Sequence, residues 1–429
     1  MKKLFVFMLI FVLCFSVVVY AQEAKKKEVK KDKVIYKEQY VDPVIKEMFE
    51  KNEKLKEEAA VKKKEIIKAY KEKIKTERKT LLFDMSAIEK PASPDAFKPH
   101  FHFEPVAQYL TSTCWSFCAT SLLESELYRL HKKKIKLSEM HTAYYEFVEK
   151  TRYFVQTRGS SLFTRGAELN SVIRMWEKYG AVPYDVYPGV LEEDGRYDHS
   201  DMYMEMYNYL QYIKENDYWC EKTVVAQIKT ILNKYMGAPP KTFTFEDKEM
   251  TPLEFLKDVL KLNTKDYVAV MSTLSVPFYT KGEFAVPDNW WHSKEYHNVP
   301  LEVFYGIIKK ALKEGYTVAI GGDTSEPGKN GFEDAAIIPT FDIPQEYIDQ
   351  SAREFRFYNR TSTDDHGIHI VGYTRLGEHD WYLIKDSGRS ARYGKFEGYY
   401  FFRDDYIKLK MLGYMVHKDL LKDILPKFK

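Results

Sequence analysis

Gln108-Tyr109-Leu110-Thr111-Ser112-Thr113-Cys114-Trp115-Ser116-Phe117 sets a carboxamide six positions ahead of a thiol. The thiol opens a run with apolar residues at Phe117, Leu122, Leu127 and Leu130, a helical spacing over 114–130. A helix that begins at a cysteine points the positive end of its dipole at the sulfur, which favours a thiolate. Far downstream lie His366-Gly367-Ile368-His369-Ile370-Val371-Gly372-Tyr373 and Leu383-Ile384-Lys385-Asp386-Ser387-Gly388. In that order the chain offers an oxyanion donor (Gln108), a nucleophile (Cys114), a general acid/base (His366) and an orienting carboxylate (Asp386), the set a thiol hydrolase needs.

The rest of the chain supports an α+β architecture. Helical patterns cover Ser138–Thr151, Ala167–Tyr179 and most of 202–262. After them come short β-rich runs at Thr317–Ile320, Ile368–Tyr373, Trp381–Ile384 and Gly398–Phe402, separated by Gly, Asp and charged turns. A helical first lobe followed by a strand-rich second lobe places a site in the cleft between them. With 429 residues, 45% of them hydrophobic, the chain can bury a large core.

Charge is unevenly distributed. Segment 22–79 carries a net +7 and segment 80–429 a net −6. Within the basic arm, apolar residues from Ile45 to Ile74 alternate with Lys and Glu, which reads as a long amphipathic helix, packed on the body or exposed as a stalk. Opposite charges interleave and no binding motif accompanies them, so nucleic acid is not expected as a partner. Residues 1–21 read as a signal peptide: Lys2 and Lys3, an apolar stretch to Val19, then Tyr20-Ala21 before Gln22. Export to the periplasm or outside the cell is expected. Cleavage leaves Cys114, Cys118 and Cys220, an odd number, so one thiol stays free where disulfides form. Cys118 reads as a small core residue, and a bridge between it and Cys220 stays open. His100 and His102 form a His-x-His pair without a Cys or carboxylate at ligand spacing, so neither metal nor cofactor is expected.

These motifs resemble those of papain-like cysteine peptidases, within them the bleomycin hydrolase and aminopeptidase C branch. Glu177-Lys178-Tyr179-Gly180-Ala181-Val182-Pro183 and Tyr296-His297-Asn298-Val299-Pro300 are similar to further runs of that branch. The resemblance implies a papain-like two-lobed fold over 80–429, peptide substrates and, from the branch alone, a homo-oligomer, there a homohexamer. It implies the roles above for Cys114, His366, Asp386 and Gln108, with His366 preferred to His369, which an alternating strand would turn to the opposite side.

The sequence departs from the family at three places. Asp386-Ser387-Gly388 stands where the family has Asn-Ser-Trp-Gly, so the shield over the imidazole–carboxylate hydrogen bond is expected to open to water. Ser112-Thr113 replaces a more usual Gly-Arg or Gly-Ser. The C-terminal Leu425-Pro426-Lys427-Phe428-Lys429 stands where the family's tail enters the cleft and restricts cleavage to N-terminal residues. Aminopeptidase action is the first reading. An endopeptidase with an open cleft and a catalytically silent, peptide-binding relative are the alternatives.

Overall fold

The computed structural model describes residues 37–77, 79–189 and 194–428; the signal-peptide reading falls outside them. The chain divides into two compact units, 1–80 and 81–429. In the first, α1 (Pro43–Glu77) runs for 35 residues and buries none of them. Its charge pairs, such as Lys46–Glu50 and Lys56–Glu53, lie one turn apart on the helix surface.

The second unit is an α+β fold built on a ten-stranded mixed sheet. Its strands are β3 (Tyr267–Met271), β4 (Thr280–Gly282), β5 (Tyr296–Asn298), β6 (Val318–Gly322), β7 (Lys329–Asn330), β8 (Ala335–Ala336), β9 (His366–Leu376), β10 (His379–Lys385), β11 (Tyr399–Arg403) and β12 (Met411–His417). Their order is β4-β5-β3-β12-β6-β9-β10-β11-β8-β7. Preceding it, a small hairpin joins β1 (Phe243–Phe245) to β2 (Lys248–Met250). One sheet face packs on α2 (Cys114–His131), α3 (Glu139–Gln156), α4 (Ser171–Tyr179), α5 (Ser200–Glu215) and α6 (Glu221–Met236) through a core that includes Leu122, Trp176, Leu232 and Ala319. The other face packs on α7 (Leu301–Lys313) and α9 (Asp404–Lys410) through Phe304, Ile320, Ile368 and Tyr406, with α8 (Gln350–Tyr358) beside α9. Alternation along each strand supplies both cores from the same sheet: Ala319 points one way, Val318 and Ile320 the other.

Local chemistry sets the element ends. Ser138 Oγ accepts from His141 N at the start of α3 (3.0 Å), and Asp349 Oδ1 accepts from Ala352 N at the start of α8 (2.8 Å). Gly377 (φ +58°) turns β9 back into β10. Two differences from the sequence reading have clear causes. The helical reading of 202–262 is interrupted between Met236 and Pro252, where helix resumes to Leu260, because Phe243–Met250 forms a hairpin whose turn residues, Glu246 (φ +48°) and Asp247 (φ +63°), lack the usual Asn-Gly signal. The helix read from Ala167 begins only at Ser171, which frees 167–169 to line a cavity.

Helix α2 and strand β9 are in direct contact. Cβ on Gly367 would lie 3.4 Å from Trp115 Cα, and the Cys118 thiol donates to Ile368 O at 2.8 Å. Cys118 is therefore a clamp as well as a core residue. Replacing it by alanine should cost about 1–2 kcal/mol through the lost hydrogen bond and packing. Serine, which keeps the donor, should cost less. Chemical denaturation of the two variants measures the difference, and equal stability would remove the thiol's bonding role.

Candidate active site

Cys114 is the first residue of α2, half-buried, and Thr113 before it is fully buried. The approach to the helix is strained: Tyr109 (φ +46°) and Ser112 (φ +55°) are left-handed without being glycine. Ser112 thus adopts a backbone that favours glycine, at the position where the family more usually has one. The Thr111 and Thr113 hydroxyls are 2.7 Å apart, and Thr111 Oγ1 also donates to Gln108 O (2.9 Å). Gln108 N donates to Ser387 O at 3.0 Å, which ties the Gln108–Cys114 segment to the residue after Asp386. Gln108 Oε1 is buried without a partner.

His366 opens β9, and its Nε2 donates to Asp386 Oδ1 at 2.7 Å. Burial works against a charged imidazole here. The Asp386 carboxylate, and after it Cys114, outweigh that penalty and push the His366 pKa up to about 10. Burial also opposes ionisation of Asp386, yet His366 and then Lys329 hold its carboxyl well below the usual range. Gly388 N donates to the same Oδ1 at 2.7 Å.

The expected opening of the shield is not what the structure shows. The His366 and Asp386 side chains are 11% and 0% exposed. A Cβ at Gly388 would sit 3.0 Å from both His366 Nε2 and Asp386 Oδ1, so the bare backbone of Gly388 covers the bond. Close approach replaces the tryptophan.

Lys329 is the residue that sequence reading missed. It projects from β7, its side chain 5% exposed, with Nζ 3.7 Å from Asp386 Oδ2, 3.1 Å from Ser390 Oγ and 4.5 Å from the Tyr400 ring centroid. Burial lowers its pKa, and Asp386 works in the opposite direction. No local motif marks it, because β7 and the Asp386 loop are 57 residues apart and joined only by the sheet.

The other expected residues fall outside this constellation. His369, on β9 but turned to the α2 side, accepts or donates at Nδ1 to Ser121 Oγ (2.9 Å), and burial drives its pKa well below the ordinary value. His100 Nε2 bonds Leu312 O (2.7 Å), while His102 bonds His100 O and Tyr399 OH. Cys118 and Cys220 are both free thiols, one buried in α2 and the other exposed before α6, so they do not pair. The C-terminal Phe428 packs on His297 and Tyr279, at 5.0 and 5.9 Å between ring centroids. It joins the core on the sheet face away from α2.

The model of the Peptidase C1-like family matches residues 37–428. The chain belongs to the peptidase C1-like family. Aminopeptidase C of Listeria innocua serovar 6a is 24% identical over 284 residues, 56% of this chain and 64% of that protein. This chain therefore spans less than two thirds of the length of that relative. Aminopeptidase C of Lactococcus lactis subsp. cremoris is 21% identical over 395 residues, covering 79% of this chain and 87% of that protein. Among solved structures, PepW of Lactobacillus rhamnosis HN001 superposes with a TM-score of 0.60 at 19% identity, covering 78% of this chain and 84% of that one. The papain-like fold is thereby shared with a C1-like neighbour.

Where the C1-like pattern has a neutral asparagine, this chain has an aspartate and a buried lysine beside it. Lys329→Met leaves Asp386 its bond to His366, so it should cost less than the about 3–5 kcal/mol of stranding one member of a buried ion pair. Asp386→Asn alone strands Lys329 in turn. Asp386→Asn combined with Lys329→Met removes the unpaired lysine along with the acid and should recover part of the loss. A double-mutant cycle read by denaturation tests this, and strict additivity would show that the two charges are uncoupled.

Proposed function

We propose that this chain is a cysteine peptidase, with aminopeptidase action as its first activity, exported by the segment read as a signal peptide at 1–21. The observation that carries the reading is the buried His366–Asp386 bond beside a cysteine at the start of a helix. Relatives named Aminopeptidase C support the peptidase class and the preference for N-terminal residues.

In this reading the Cys114 thiolate attacks the substrate carbonyl carbon and forms a C–S bond, while the carbonyl oxygen becomes an oxyanion. Gln108 and the Cys114 backbone N–H are the donors assigned to that oxyanion. Collapse of the intermediate breaks the C–N bond, and His366 passes its proton to the departing amine. Water, deprotonated by His366, then attacks the thioester and returns the thiol. Asp386 keeps the imidazole ring oriented, with its Nδ1 side directed toward sulfur.

A second reading, endopeptidase action, is favoured by one observation. Phe428 packs on the sheet face opposite α2, so the described part of the tail does not fill the cleft as a gate would.

The test is an epoxysuccinyl thiol inhibitor with peptide mapping, followed by turnover of free-amine and N-blocked aminoacyl coumarins. Cys220 is exposed, and its pKa is lowered by hydrogen bonding to Thr223, so the mapping uses Cys220→Ser protein. Cys114 should take the label, and Cys114→Ala should lose at least roughly a thousandfold in kcat/KM. Labelling elsewhere, with no turnover of either substrate, would leave a silent peptide-binding protein.

The pH dependence follows from the shifts. The raised His366 pKa contributes stability that is complete below 6.5 and lost as pH rises toward about 10. The depressed Asp386 pKa contributes stability present above 3.8 and lost as pH falls below it. The pair therefore contributes most between those two ordinary values. The alkaline limb of kcat/KM should fall near pH 10 in the parent and at lower pH in Asp386→Asn, which removes the largest influence raising the imidazole. An unmoved limb would mean that His366 is not the group being titrated.

A further inference from the structure

A narrow cavity lies against the two reacting groups, lined by Cys114, His366, Glu168, Asp364 and Asp288. We propose that Glu168 and Asp364 form a cation subsite in this cavity that binds the free α-ammonium of the substrate. The assignment rests on the cysteine peptidase reading above and names the group that would make the enzyme an aminopeptidase.

Glu168 is 6% exposed, and its Oε1 receives no hydrogen bond from any protein donor. Oε2 accepts from the Tyr296 hydroxyl at 3.1 Å, and that hydroxyl also lies 3.3 Å from Asn170 Oδ1. The Glu168 and Asp364 carboxyls face one another within hydrogen-bonding range. Among the described residues, no Lys or Arg lies within 4.0 Å of either carboxyl. The nearby cation Lys150 is committed elsewhere, donating to Thr164 O at 2.8 Å and to Gly166 O, where it shapes the loop that carries Glu168.

Two facing carboxyls without a donor between them must share a proton or hold a cation. Burial, with Asp288 and Asp365 adding like charge, pushes the Asp364 carboxyl up to about 7. A cationic nitrogen entering the cavity supplies what the protein leaves out. The chemistry of the substrate places one there. When the acyl carbon meets Cys114, an unblocked α-nitrogen is two bonds away, beside a cationic His366 that repels it. The carboxyls offset that repulsion, and an N-acetyl group, being neutral, gains nothing from them. The terminal carboxylate that fills this role in a cleft-entering tail is not needed here, since Phe428 is packed on the other sheet face.

The experiment measures binding in Cys114→Ala protein by calorimetry, with Leu-Ala-Ala, its N-acetyl form and N-acetyl-Lys-Ala-Ala as probes. Glu168→Gln and Asp364→Asn are each introduced. Leu-Ala-Ala should weaken by at least about tenfold in both, the loss expected for a hydrogen bond to a charged group, while N-acetyl-Leu-Ala-Ala changes less than twofold. Both variants should melt no lower than the parent, because each removes one of two facing acids, of which Glu168 is buried. Equal weakening of blocked and free peptides, or no weakening in either variant, overturns the proposal. Weakening confined to the lysyl peptide also overturns it, assigning the subsite to a basic side chain instead. If the free-amine preference persists in a protein whose Cys114 neither labels nor turns over substrate, the subsite stands and the peptidase reading fails.

Discussion

The seat of α2 on β9 is the contact on which everything else depends. Gly367 lies flat against the helix backbone, where even a Cβ would already touch Trp115 Cα at 3.4 Å, and the Cys118 thiol bonds the carbonyl next along the strand. Because Cys114 starts that helix and His366 starts that strand, one packing contact brings a thiol and an imidazole together across 252 positions of sequence. The same contact leaves a cavity at the joint of helix and strand, lined by Gly321 and Gly367 together with Cys114 and His366. Trp115, the next residue of α2, donates to Arg165 O at 3.2 Å and so holds the 163–168 loop at the cavity wall.

Charge balance is the second constraint. A carboxylate instead of an amide beside the imidazole deepens the imidazolium well, and unaided it would leave a buried oxygen facing nothing. Lys329 lies close to that oxygen from the far edge of the sheet. The two departures from the family's residues, Asp386 and the missing tryptophan, are matched by two local adjustments: a buried lysine and a glycine that lies flat over the hydrogen bond. Across the cavity the pattern reverses. Among the described residues Glu168 and Asp364 are acids with no lysine or arginine partner, so the carboxylate is neutralised on the side of Asp386 while two facing acids are left to share a proton on the other.

The linear chain by itself determined the order of the candidate groups. Gln108, Cys114, His366 and Asp386 were legible because a thiol opening an apolar helix and a histidine heading a β-rich run are local patterns, as were α1, α3 and the β9–β11 strands. The left-handed turn at Ser112 and the hairpin at Glu246-Asp247 were not, since each goes against a local backbone preference, and neither was the loop that precedes Ser171. Lys329, the cover provided by Gly388, the acidic cavity and the placement of Phe428 were decided only when the sheet assembled. Each depends on strands far apart in sequence becoming neighbours, and burial, which sets the cost of an unpaired charge, exists only once those strands have paired.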